Sequence, residues 1–118
     1  MGLIPKKVHA VLDYASVVVL VAAPWIFGFE TVKAATVVSV ASGVVVFFVS
    51  LFTAYPGGLI RRLSMSAHLN MDILLGVVLA VSPWALGFSD KVYLPHLVLG
   101  LFSIFAGSVT TRTASGRS

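Results

Sequence analysis

Two short stretches carry the residues able to do chemistry. His9-Ala10-Val11-Leu12-Asp13 and His68-Leu69-Asn70-Met71-Asp72 both read His-x-x-x-Asp. In a helix, residues i and i+4 lie on one face, so each imidazole points the same way as its carboxylate. Two imidazoles and two carboxylates make an N2O2 donor set, which suits a tetrahedral divalent ion of the zinc kind. The same residues serve other chemistries. A buried His–Asp pair can hold or pass a proton. His9 and His68 can ligate a haem axially, although aspartates are poor company for that ring. Each Asp can also accept from its own His, sit in the first turns of its helix where the macrodipole favours negative charge, and pair with Lys6, Lys7, Arg61 or Arg62. In that case the four residues only fasten helix ends. Fastening is the first expectation, and a divalent-metal or proton site at His9, Asp13, His68 and Asp72 is the alternative.

The elements that position these residues follow from composition. The chain is 58% hydrophobic and 10% charged. A soluble domain carries roughly 25% charged residues, and a short chain buries only about 60–70% of its surface. Lipid is the solvent that accommodates so much apolar surface. Residues 34–60 and 92–111 contain no Asp, Glu, Lys or Arg. Residues 14–29 and 73–89 contain none either, but a span needs about 20 residues. Those two spans therefore draw in the preceding turn, with its His and Asp. The pattern predicts an all-α membrane domain over 1–118, a four-transmembrane-helix bundle with spans at about 8–29, 34–55, 66–88 and 92–111. Pro56-Gly57-Gly58 marks the central turn, and Pro95 suits the first turn of the last helix.

Basic residues set the expected direction. Lys6, Lys7, Arg61, Arg62, Arg112 and Arg117 fall on one side of these spans, and Lys33 and Lys91 on the other. Six against two puts both termini in the cytoplasm. Reading residues 1–23 as a cleaved signal is opposed by Asp13 and by the recurrence of the same segment mid-chain.

That recurrence is an internal repeat. At a shift of 59 residues His9 falls on His68, Asp13 on Asp72, Pro24-Trp25 on Pro83-Trp84, and Gly28-Phe29 on Gly87-Phe88. Spans two and four match weakly, and His96 has no counterpart, so it is expected to be an interfacial residue without a role. The unit is a helix pair, repeat one at about 8–55 and repeat two at about 66–111. Two units that each cross twice share one orientation, with a pseudo-two-fold axis along the membrane normal. Pro24, Trp25, Gly28, Phe29 and Pro83, Trp84, Gly87, Phe88 read as an interfacial anchor and helix stop written once per repeat. Ser39 with Gly43, Gly76 with Ala80, and Gly100 with Gly107 let helices approach closely.

Ser82-Pro83-Trp84-Ala85-Leu86-Gly87-Phe88, with its partner Ala23-Pro24-Trp25-Ile26-Phe27-Gly28-Phe29, resembles the SPW-repeat family of small bacterial membrane proteins over nearly the whole chain. The first copy departs from the name, with Ala23 where Ser82 stands in the second. The resemblance implies a bacterial inner-membrane protein of two-helix repeats and lends no activity. The two His-x-x-x-Asp pairs are similar, over those four residues alone, to the intramembrane site of cation-diffusion-facilitator zinc transporters.

Several classes are excluded. Cysteine is absent, so no thiolate chemistry is available. There is no Gly-rich phosphate loop, no G-x-S-x-G and no basic run suited to nucleic acid. With few polar residues outside loops, the chain is expected to be a structural or interaction protein rather than an enzyme. Its expected partners are the bilayer and, given a thin core, further copies of itself.

Overall fold

The computed structural model describes residues 2–111. Arg112 and Arg117, two of the six basic residues counted for direction, lie outside the described residues. Four helices follow one another: α1 (Lys6–Ile26), α2 (Lys33–Phe52), α3 (Met65–Ala85) and α4 (Leu94–Val109). The described residues form no strand, only two isolated bridges, Ile4 with Thr110 and Thr53 with Leu63.

Helices α1, α2 and α3 are long and apolar enough to cross a membrane. Helix α4 has 16 residues and spans about 24 Å at about 1.5 Å per residue. It is shorter than the expected 92–111. Pro95 lies in its first turn, which sets the start at Leu94, and Thr110 turns to extended backbone at its end. The outward faces carry Val18, Leu74 and Phe105, each more than half exposed, which is the surface lipid solvates.

The two proline-tryptophan segments close α1 and α3 by one device. The Phe29 N–H donates to the Pro24 carbonyl at 2.7 Å, and Phe88 to Pro83 at 2.8 Å. Between them Gly28 and Gly87 take φ of 72° and 77°. A left-handed glycine with this backbone bond caps the orphan carbonyls of a helix. Trp25 and Trp84 are 63% and 54% exposed, whereas Phe29 and Phe88 are buried. The phenylalanines thus face inward and do not share the tryptophans' outward position.

Within each hairpin the helices pack closely because small residues remove side-chain bulk. A Cβ on Gly100 would lie 2.6 Å from the Ala80 nitrogen and from the Gly76 carbonyl oxygen. In the first hairpin Gly43 faces Val17 and Leu20, and the Ser39 hydroxyl donates to the Leu20 carbonyl at 2.6 Å.

Between the hairpins the core has three levels. At the tryptophan end lie Ala23, Phe29, Ala35 and Phe88. In the middle lie Leu20, Val46 and Leu79. At the arginine end lie Ala10, Tyr55, Met65 and Leu69. The α2–α3 connection folds over the arginine end, where the Tyr14 hydroxyl donates to the Gly57 carbonyl at 2.6 Å.

Candidate metal centre

His9 and Asp13 stand one turn apart on α1, and His68 and Asp72 one turn apart on α3. The bundle turns both faces inward at the arginine end. All four side chains are buried, and they converge. His9 Nε2 lies 3.1 Å from Asp13 Oδ1 and 2.8 Å from Asp72 Oδ2. His68 Nε2 lies 3.0 Å from Asp13 Oδ2 and 3.1 Å from Asp72 Oδ2. Each histidine thus meets the aspartate of the other hairpin as closely as its own. Among the described residues, the ion pairs of these aspartates run to the two histidines and not to Lys6, Lys7, Arg61 or Arg62. The expected pairing with the basic residues is therefore corrected. The helical face points the carboxylates into the bundle, away from the exposed Lys7, Arg61 and Arg62.

The other imidazole nitrogen decides what the centre can hold. His9 Nδ1 lies 2.7 Å from the Thr110 hydroxyl, and His68 Nδ1 lies 2.7 Å from the Thr53 hydroxyl. Thr110 donates to the Ala106 carbonyl and Thr53 to the Val49 carbonyl, both at 2.6 Å. A hydroxyl has one proton, and each is already given to a helix carbonyl. Each threonine oxygen must therefore accept, so both Nδ1 atoms carry hydrogen. In a neutral ring the Nε2 lone pair then faces the carboxylates. That arrangement is repulsive unless a proton or a cation lies between them.

The Nε2 environments differ in detail. His9 Nε2 is aligned on Asp72 Oδ2. His68 Nε2 is buried without an aligned hydrogen bond, although both carboxylates are near it. The four candidate ligand atoms lie within 4.8 Å of one another. Around zinc, with bonds of 2.0–2.2 Å, tetrahedral ligand atoms stand about 3.3–3.6 Å apart. The observed nitrogen–oxygen distances need to open by only a few tenths of an ångström. The N2O2 donor set and the orphaned His68 Nε2 fit a divalent ion.

Tyr55 makes the two halves unequal. Its hydroxyl donates to Asp13 Oδ2 at 2.9 Å. Burial, then the nearby Asp13 charge, push the phenol above its ordinary range, so it remains a donor. Beyond the centre a cavity of about 30 Å³ is bordered by Ser16 and Ser103 before Leu20, Leu79 and Val46 close the interior.

Sequence reasoning missed Thr53, Thr110 and Tyr55. The two threonines are 57 residues apart, and an overlay at 59 separates them. His96 also departs from expectation. It is buried, its Nε2 donates to the Ala35 carbonyl at 2.9 Å, and its ring lies 5.1 Å from that of Phe29 and 5.0 Å from that of Phe88. It is a core residue of the tryptophan end, held there because α4 enters the bundle at its first turn.

A family model described as the SPW repeat domain matches residues 7–110. The matched range takes in both hairpins, both His–Asp pairs and both threonines. No curated relative and no solved structure matches the chain.

Proposed function

The chain belongs to the SPW repeat family, and we propose that it is a bacterial inner-membrane protein, both termini cytoplasmic, that binds one divalent transition-metal ion of the zinc type at His9, Asp13, His68 and Asp72. One observation carries this reading. The threonine hydroxyls commit both Nδ1 atoms as donors, and this turns two Nε2 atoms toward two carboxylates in a buried, shared space. A histidine ligand ordinarily donates its other N–H to an oxygen in this way. Two aspartates and two neutral imidazoles also leave a charge of minus two, which a divalent ion cancels.

Four protein ligands describe a closed, binding-type site. The interior beyond it narrows onto Leu20, Val46 and Leu79, which favours retention of an ion over passage through the bundle. Nothing in this reading asks the chain to act as an enzyme.

A second reading is favoured by the short nitrogen–oxygen distances. With a proton on each Nε2 in place of the ion, the four residues form a neutral clasp between α1 and α3. The test is elemental analysis of protein purified without chelator, beside a His9→Ala, His68→Ala double variant, followed by zinc titration of each. About one ion per wild-type chain and none in the variant supports the metal. Equal content in both, with no saturable uptake by wild type, leaves the clasp.

A further inference from the structure

On the α2–α3 seam a groove opens to the membrane side. Its inner part, about 200 Å³, is lined by Val45, Val49, Met71, Leu74 and Val78 and ends on Asp72. Its outer part, about 390 Å³, is lined by Phe48, Val49, Phe52, Leu63 and Met71 and opens beside Arg62. Val49 and Met71 border both parts, so the two adjoin. From Phe52 to Val45 the groove follows about 10 Å of helix, some two-thirds of the hydrocarbon depth of one leaflet, about 15 Å. Arg62 is exposed, and among the described residues no carboxylate pairs with it. At the 59-residue shift its counterpart is Leu3, so the matching position in the other repeat carries no basic residue.

We infer that this groove is a binding site for one anionic glycerophospholipid, with an acyl chain along Val45, Val49 and Met71 and the phosphate on Arg62. The apolar walls exclude a polar ligand along the length of the groove. The single charged group at its rim is a guanidinium, whose fork pairs with phosphate. Anionic headgroups gather at the side where basic residues lie. A second copy fits less well. In one membrane both copies share orientation, and a symmetric contact through this seam sets arginine rim against arginine rim at one depth. The site is independent of the metal reading, although its inner end touches Asp72.

The test uses the full chain, delipidated in detergent, by native mass spectrometry. Phosphatidylglycerol and phosphatidylcholine of identical chains are titrated separately, and inorganic phosphate is added as a competitor. One phosphatidylglycerol should be retained in preference to phosphatidylcholine. Arg62→Gln should weaken phosphatidylglycerol about fivefold, as loss of about 1 kcal/mol for one surface cation implies, and weaken phosphatidylcholine less, because its choline cation already offsets the same phosphate. Val45 is already 43% exposed, so Val45→Trp fills the groove without entering the core. It should evict both lipids while helix content by circular dichroism is kept. Equal binding of the two lipids by wild type, no effect of either substitution, displacement by inorganic phosphate alone, or lipid-indifferent dimers would overturn the inference.

Discussion

The Thr53 hydroxyl lies 2.7 Å from His68 Nδ1, though the two residues belong to different hairpins. Thr53 ends α2 and His68 begins α3, and the hydroxyl's own proton is held by Val49. The contact therefore fixes which nitrogen of His68 faces the centre.

Thr53→Val removes the acceptor and leaves a buried N–H without a partner. Zinc affinity should fall about 10- to 100-fold, the usual effect of losing a group that orients a ligand. Thr53→Ser should restore most of it. Competition with a chromophoric chelator measures both. Unchanged affinity in the valine variant would remove the orienting role.

Metal binding at this centre displaces protons from Nε2, so acid must weaken it. Where both imidazoles release a proton, affinity drops by about a hundredfold per pH unit on acidification. A weakly buffered detergent solution with a pH indicator should report about two protons released per zinc bound. Release of none would mean that both imidazoles are already neutral before the ion binds, and the neutral clasp with a proton on each Nε2 would fall.

Tyr55 supplies an alkaline signature. Its phenol lies above its ordinary value of 10.0 in the folded chain, whereas in the unfolded chain it ionises normally. Above that ordinary value the unfolded state loses a proton that the folded state keeps, so stability declines as pH rises further. Tyr55→Phe should flatten that alkaline decline in thermal midpoints taken across the range. An identical decline in the variant would show that another group causes it.

Two glycines separate conformational cost from crowding. A Cβ on Gly87 meets nothing within 4 Å, but the residue sits at φ 77°. Gly87→Ala should therefore cost about 1–2 kcal/mol, the left-handed penalty alone. Gly100→Ala drives a methyl into the backbone of Ala80 and Gly76 and should destabilise more, by prying α4 from α3. Thermal unfolding in detergent ranks the two, and the reverse order would contradict this packing.

Direction is tested by reporters. One fused after Ser118 should register as cytoplasmic, and one inserted near Lys91 as external. The opposite pattern would overturn the reading drawn from the basic residues.

Much of the architecture was legible because lipid leaves few solutions. Four charge-free stretches, two bounded by Lys and Arg and two by acidic residues, gave four helices, and the 59-residue echo gave the hairpins. The convergence of His9, Asp13, His68 and Asp72 was not legible. Spacing within one helix says which side chains share a face, but not whether two such faces meet. Within the first expectation of fastened helix ends, the pairing of each aspartate with its own histidine is seen, but the pairing with basic residues used proximity along the chain where proximity across the bundle decides. Thr53 and Thr110 were hidden for a related reason. A hydroxyl at the end of an apolar run is ordinary, and its meaning appears only once the opposite helix brings a histidine to it.

The exchange of threonines between hairpins has an evolutionary corollary. One hairpin alone holds a histidine, an aspartate and a threonine, but the threonine serves the neighbour's histidine. A lone ancestral unit would have been half a lock, completed only by a sister standing parallel to it. Gene fusion would then have made that partnership permanent and freed each half to diverge. One half could then carry Tyr55 on Asp13 alone, with no loss of the shared centre.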